Sequence, residues 1–312
     1  MVEILQKAEA SAMKDSANLI VPISAIGNLE QVTDSQLARY AELIYHKTGI
    51  RISPQKKMLL SNRLRRRLRE TGIRDFEAYY QHLRGLPPGD PEWNAFLQEI
   101  TTHETYLFRD EAQWQWFQRD YLPQVAAEAQ SGRRPRSLRI WSAACSTGDE
   151  VYTIACCLAG SLPNYQQWNI MILGTDIGAG AIAQAQAGVF GERAMRLVPE
   201  EYRRRFFVKA KDAAIWQVAP VLKQMVSFRQ HNLLEPLRVP PFDLVFLKNV
   251  LIYFDLASKK RVLEHVRALI KPGGMLITGA AEGVSELLRD LERLNPWLYR
   301  RPVPARPAEV RR

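Results

Sequence analysis

A chain of 312 residues, 46% hydrophobic and 24% charged, is long enough for one sizeable core and a smaller second domain, which excludes a disordered or fibrous protein. No stretch approaches the roughly 18 uninterrupted apolar residues of a membrane span, and the apolar run from Leu19 to Ile26 is short and broken by Pro22, so a cytoplasmic protein without membrane insertion is expected. Cys145, Cys156 and Cys157 lack Cys-x-x-Cys spacing and His103-Glu104 has no second histidine four residues on, so no protein-bound catalytic metal is expected.

Residues 1–30 carry no sustained periodicity and the tail 301–312 is rich in Pro and Arg, so both read as poorly ordered extensions. Residues 31–86 read as a small helical domain. One helix runs through Leu43 and Ile44 to a break at Gly49; a second follows Ser53-Pro54, an N-cap and first-turn pair, and closes at Gly72; a third passes through Phe76 and Tyr79. In the second helix Leu60, Leu64 and Leu68 recur every four residues and predict a core-facing stripe, leaving Arg65, Arg66 and Arg69 opposite, with Arg63 and Arg67 on the flanks. The net charge of +10 is concentrated here: from Arg51 to Arg74 nine basic residues face one acid, Glu70. Such a patch points to an acidic macromolecular partner.

The stretch from Leu86 to Pro91 is turn chemistry, so residues 87–110 are assigned to a linker with a connecting helix from Trp93 to Ile100. From 111 to 300 short apolar runs alternate with helical segments. Strands are predicted over 138–143, 169–174, 226–229, 242–247 and 275–278. That alternation implies βαβ units and an α/β, doubly wound, Rossmann-like sheet. Residues 206–209 and 215–218 flank Lys211-Asp212 and predict an antiparallel hairpin within an inserted β subdomain at about 191–225.

After the first strand, the small residues Ser142-Ala143-Ala144-Cys145-Ser146-Thr147-Gly148 lead into Asp149-Glu150 and a helix. Small side chains let a ligand approach the backbone at the carboxyl edge of the sheet. The pattern G-x-G-x-x-G is absent, and acids at the helix start repel phosphate while suiting a cation, which favours a nucleoside without phosphate; a plain tight turn reads equally well. Asp176, at the tip of the second strand, can accept hydrogen bonds from both ribose hydroxyls, or act as an N-cap. Asn232 follows the third strand, where it suits an adenine edge or a turn. Lys248, Asn249 and Tyr253 cluster at the carboxyl end of the strand 242–247.

The runs Ile100-Thr101-Thr102-His103-Glu104-Thr105-Tyr106-Leu107-Phe108-Arg109-Asp110, Trp141 to Glu150, and Asn249-Val250-Leu251-Ile252-Tyr253-Phe254-Asp255 resemble the CheR family of chemotaxis receptor glutamate O-methyltransferases. The resemblance covers residues 34–300 and implies a class I methyltransferase sheet preceded by a helical domain. It implies S-adenosyl-L-methionine as cofactor, S-adenosyl-L-homocysteine as product, and methyl ester formation on receptor glutamates. By position, His103, Thr105, Arg109, Glu150, Asp176, Asn232, Leu233, Lys248 and Asn249 match cofactor contacts, and Arg109 and Tyr253 flank the reactive methyl. Arg63, Arg65, Arg66 and Arg69 match a face that docks on the acidic coiled coil of the receptor's cytoplasmic domain. His103, Lys248 and Val151 stand where the family often has Asn, Arg and Pro, and Lys does not reproduce a forked Arg contact. The inserted region lacks the glycine-bearing loop by which some members grip a tethering peptide, which implies a tether-independent enzyme, expected as a monomer.

A nucleic-acid methyltransferase also combines such a sheet with a basic domain. The chain has no Pro-Pro-Tyr, Pro-Pro-Phe or Pro-Cys motif for base methylation, which argues against that reading. A non-catalytic receptor-binding relative is the third reading; the retained Arg109, Asp176 and Tyr253 argue against it.

Overall fold

The computed structural model describes residues 31–304 except Pro88, Asp212 and Ala213, and forms two compact units, one ending at Thr102 and one beginning at His103. The extension assigned to residues 1–30 and most of the basic tail lie outside the described residues.

In the first unit, α1 (Asp34–Thr48) is opened by a reciprocal cap. Thr33 Oγ1 accepts from Gln36 N at 3.1 Å, and Gln36 Oε1 accepts from Thr33 N at 2.9 Å. Gly49 closes the helix at φ 73°. Ser53-Pro54 starts a short 3-10 turn that runs into α2 (Lys57–Thr71), closed by Gly72. Asp75 caps α3 (Phe76–Gly85) and Asp90 caps α4 (Pro91–Ile100). Leu60, Leu64 and Leu68 are buried with Tyr40, Ile44, Tyr79 and Phe96, as their four-residue spacing predicts. The helix from Trp93 to Ile100 packs into this unit through Trp93, Phe96 and Ile100.

Arg67 departs from the flank position expected of it. It is only 6% exposed, with Nη2 2.6 Å from Glu92 Oε2, Nε donating to Glu92 Oε1 at 3.0 Å, and Glu70 paired to its other nitrogen. The hydroxyl of Tyr79 donates to the same Glu92 carboxylate at 2.5 Å. The acid that draws this arginine inward lies on α4, beyond the reach of any periodicity within α2.

The second unit starts with α5 (Glu111–Trp116), which passes through a π turn, Phe117–Tyr121, into α6 (Leu122–Gln130). There follow β1 (Ser137–Ala143), α7 (Asp149–Ser161), β2 (Asn169–Asp176), α8 (Ala179–Ala187), β3 (Val189–Gly191), α9 (Glu200–Phe206), β4 (Phe207–Lys209) and β5 (Ile215–Val218). The chain ends with β6 (Val226–Gln230), β7 (Phe242–Leu247), α10 (Leu256–Ala268), β8 (Ile270–Thr278), β9 (Glu292–Asn295) and β10 (Leu298–Arg300). The main sheet has the order β6-β2-β1-β7-β8-β10-β9. Strands β6, β2, β1, β7 and β8 run parallel, so their carboxyl ends share one rim, and β10 runs antiparallel to both of its neighbours, β8 and β9. The central strands are buried on both faces, which is why they read as unbroken apolar runs.

The inserted sheet has three strands in the order β3-β5-β4, so the predicted hairpin gains a partner at Val189–Gly191. The tail is also tied down at its start. Arg301 N donates to Gly274 O at 2.9 Å, and Arg301 O accepts from Gly273 N at 2.9 Å. Among the described residues, no helix is long and apolar enough to cross a membrane.

Candidate functional site

The order of strand addition reverses at β1: β2 and β6 add on one side of it, β7 and β8 on the other. Ligands bind at such a switch point, outside the carboxyl ends of the strands. The loop after β1 is shaped for close approach. Ala144, Ser146 and Gly148 all adopt left-handed backbone, at φ 62°, 51° and 88°. Phe108, Asp110 and Asn249 share that conformation at the same rim, at φ 59°, 67° and 58°. Strained non-glycine residues of this kind persist only where the surroundings hold them, and they gather at ligand sites.

Asp176, at the end of β2, is 6% exposed. Its Oδ2 accepts from Ser146 N at 2.8 Å and its Oδ1 from Gly178 N at 2.9 Å, so one carboxylate pins the loop after β1 and opens the entry to α8. The carboxylate thus caps a turn two residues ahead of the helix, whose N-cap is Gly178 rather than Asp176. His103 Nδ1 stands 3.9 Å from Asp176 Oδ1.

The segment from His103 to Asp110 is seated on the rim. Leu107 N donates to Ala194 O at 3.1 Å, and Phe108 N donates to Thr153 Oγ1 of α7 at 3.0 Å. Arg109 is half-buried; its Nη1 donates to Glu104 O at 3.3 Å and its guanidinium lies 5.7 Å from the centre of the Tyr106 ring. Thr105 is half-buried in the same segment.

Lys248, the residue after β7, joins this segment to the loop after β1. Its side chain is 3% exposed, and Nζ lies 3.1 Å from Asp110 Oδ2, 3.3 Å from Glu150 Oε2 and 5.1 Å from the centre of the Trp114 ring. Glu150 Oε1 accepts from Ser142 Oγ at 2.8 Å. Two carboxylates against one ammonium leave the cluster with an excess negative charge, and Asp176 adds another. That balance suits a ligand bearing an ammonium and a sulfonium. Ser146 Oγ is buried here without a hydrogen-bond partner, an atom that a ligand hydroxyl would satisfy. The residues present therefore fit a ribonucleoside with a cationic amino-acid tail.

Asn232, Leu233, Asn249 and Tyr253 lie along the same rim, after β6 and β7. Asn232, after β6, takes the turn role, since its Oδ1 accepts from Leu234 N at 3.1 Å. Leu233 is buried. Asn249 and Tyr253 bracket the short turn Leu251–Tyr253 beyond β7, with Tyr253 half-buried. Arg63, Arg65, Arg66 and Arg69 lie on α2 in the first unit. Arg63 is held by the carbonyl of Ile100 and by Thr102 Oγ1, Arg65 donates to Asn62 Oδ1 at 2.6 Å, and Arg66 Nε is 2.5 Å from Glu99 Oε2; Arg66 and Arg69 are exposed.

Several contributors escape sequence reasoning. Asp110 and Trp114 enter through Lys248 and Ser142 through Glu150; Asp110 and Ser142 lie in the family motifs without an assigned role, and Trp114 lies in none. Asp149 is 1% exposed and hydrogen-bonded through Oδ2 to Thr147 Oγ1 at 2.6 Å, and burial pushes its carboxyl up to about 6. A folded-state value above the ordinary 3.8 means that its contribution to stability is full at low pH and is lost as pH rises through about 6. Asp149→Asn is therefore expected to stabilise the protein by about 2 kcal/mol at pH 7.5, a gain that fades toward pH 4.5. Urea midpoints at the two pH values check it, and a gain independent of pH refutes it. Burial also pushes up the thiols of Cys145, Cys156 and Cys157, which excludes them as thiolate nucleophiles at neutral pH.

Comparison with known proteins places this geometry. Residues 35–101 match the model of the CheR methyltransferase all-alpha domain, and residues 103–296 match the CheR methyltransferase SAM binding domain. The chain is 33% identical over 283 residues to a chemotaxis protein methyltransferase of Klebsiella aerogenes, covering 88% of this chain and 93% of the relative. It is 33% identical over 263 residues to that of Escherichia coli, covering 83% and 87%. It is 34% identical over 279 residues to chemotaxis protein methyltransferase 2 of Pseudomonas aeruginosa, covering 86% and 95%. With a helical unit and a cofactor sheet that both match, the chain belongs to the CheR family of S-adenosylmethionine-dependent methyltransferases.

Proposed function

We propose that the protein methylates glutamate side chains on the cytoplasmic coiled coil of a chemotaxis receptor, giving glutamate methyl esters and S-adenosylhomocysteine, and that it does so as a cytoplasmic monomer without a peptide tether. The observation that carries this reading is the seat of Arg109, a cation held on the rim beside the Asp110–Lys248–Glu150 cluster. The names of the relatives, chemotaxis protein methyltransferases, support the receptor as substrate.

When bound, the cofactor supplies an electrophilic methyl on a sulfonium. Asp176 binds the ribose hydroxyls, with the buried Ser146 hydroxyl beside it, and Glu150 holds the amine end. A glutamate carboxylate is ionised at pH 7 and is itself the nucleophile, so the chain need supply no general base. Arg109 orients that carboxylate and Tyr253 keeps it in line with the methyl. Opposite charges cancel in the transition state, so positioning and exclusion of water at this rim carry the rate. On α2, Arg66 and Arg69 are exposed to meet acidic residues of the receptor, with Arg63 and Arg65 beside them.

Purified protein incubated with methyl-labelled cofactor and a receptor cytoplasmic fragment should transfer label that alkali releases as methanol. Alkali-stable label on RNA, with none on the receptor, would overturn the reading. Arg109→Ala is expected to lower turnover about a hundredfold, roughly 2.7 kcal/mol of transition-state stabilisation; unchanged turnover would remove Arg109 from the mechanism.

A further inference from the structure

Glu282, in the loop after β8, is 1% exposed, and neither carboxylate oxygen has a hydrogen-bond partner among the described residues. Buried carboxylates without a side-chain partner are costly to keep, which raises the question of what this one holds. The turn that starts at Asn249 lies against it, and the backbone amides of Asn249, Val250 and Ile252 act to hold its carboxyl down. These amides begin the turn that carries Asn249 and Tyr253. Its internal bonds start only at Tyr253 N to Val250 O, 3.1 Å, and Phe254 N to Leu251 O, 3.1 Å. The first amides of a helical turn have no carbonyl partner within it and need an acceptor from elsewhere.

The surrounding contacts fix the carboxylate at that place. Lys259 Nζ of α10 donates to Glu282 O at 2.7 Å, anchoring the backbone of the loop. Gly279 lies between the acid and the turn. A Cβ there would stand 2.8 Å from Glu282 Oε1 and 3.2 Å from Asn249 N, so only glycine lets the two approach. The turn is strained where the acid meets it: Asn249 is left-handed, at φ 58°, and Val250 follows at φ −120°, ψ −39°. Burial raises the carboxyl of Glu282 while the three amides and Lys259 oppose the rise, so the amides act on its charged form.

We propose that Glu282 is a positioning residue for methyl transfer, its buried carboxylate set against the turn that starts at Asn249 and attracting the amides of that turn, so that Asn249 and Tyr253 are aimed at the reaction centre. The inference rests on the methyl-transfer reading above but touches neither cofactor nor substrate directly. It predicts a split between the variants: Glu282→Gln keeps the volume and one acceptor oxygen, whereas Glu282→Ala keeps neither.

Hydrogen–deuterium exchange on the ligand-free full chain tests the physical part. In Glu282→Ala the amides of residues 249, 250 and 252 should exchange at least tenfold faster, with Glu282→Gln between it and wild type. Steady-state assays on receptor fragment should show kcat lowered about tenfold or more in Glu282→Ala, KM for the receptor within about twofold, and partial recovery in Glu282→Gln. Unchanged exchange at those amides in either folded variant overturns the proposal, as does faster exchange with unchanged kcat. If Glu282→Ala fails to fold, Glu282→Gln carries both measurements. A wild-type protein that forms no ester overturns the proposed acceptor instead, and exchange still decides whether Glu282 holds the turn.

Discussion

Replacing Asp176 by alanine is expected to weaken binding of S-adenosylhomocysteine by about a hundredfold to a thousandfold. On the proposed reading the residue has two tasks. Toward the protein, it accepts from Ser146 N at 2.8 Å and Gly178 N at 2.9 Å. Those bonds hold the loop after β1 in a left-handed conformation that an L-residue does not keep unaided. Toward the ligand, the same oxygens each retain a lone pair for ribose hydroxyls. Hydrogen bonds to a charged group contribute about 1.5–3 kcal/mol each, and about 1.4 kcal/mol is a tenfold change in affinity. Losing the ribose contacts and loosening the loop together reach the stated range. Asp176→Asn should fall between, because an amide offers one acceptor oxygen where the carboxylate offers two. Calorimetric titration of the folded variants checks both values. A dissociation constant within threefold of wild type for Asp176→Ala would exclude Asp176 from the cofactor site.

Gly148→Ala is expected to destabilise the second unit by about 3–5 kcal/mol. Gly148 sits at φ 88°, where an L-residue costs about 1–2 kcal/mol. Its absent Cβ would lie 2.8 Å from Ala185 Cβ and 3.1 Å from Ala185 Cα on α8. The second contact is backbone, so no rotamer change relieves it, and overpacking of this kind costs about 1–3 kcal/mol. The glycine also anchors both sides of the loop: its N donates to Cys145 O at 3.0 Å, and its O accepts from Tyr152 N at 3.0 Å. A fall in melting temperature of about 6–20 °C is therefore expected. Adding Ala185→Gly should recover about half, because it removes the side-chain clash and leaves the backbone strain. Equal melting temperatures for wild type and Gly148→Ala would show that α8 shifts freely away from the loop.

Much of this architecture is written in local pattern. The unbroken apolar runs from Leu138 and from Phe242 follow from burial on both faces of a parallel sheet, and their spacing by helices left few other topologies. The leucine stripe of α2 and the closures at Gly49 and Gly72 are equally local, since a 3.6-residue period and left-handed glycines are properties of single segments. Asp176 was legible because polar residues at strand tips stand out against apolar strands. Three separated motifs then identified the family where one would not.

What escaped the sequence depends on partners distant along the chain. Val189–Gly191, Glu292–Asn295 and Leu298–Arg300 are strands of three or four residues, too short for a periodic signal, and exist because neighbouring strands satisfy their amides. Arg67 reads as one more surface cation until Glu92 and Tyr79 close over it. Lys248 reads as a strand-end lysine until Asp110 and Glu150 converge on it, and Glu282 is an ordinary loop acid until the fold buries its carboxylate. The chain by itself determined the two-part α/β plan, the family and the rim on which the chemistry is proposed to occur. Tertiary structure alone decided which charges are buried and against what, because burial and electrostatic pairing are set by distances through space that no spacing along the chain encodes.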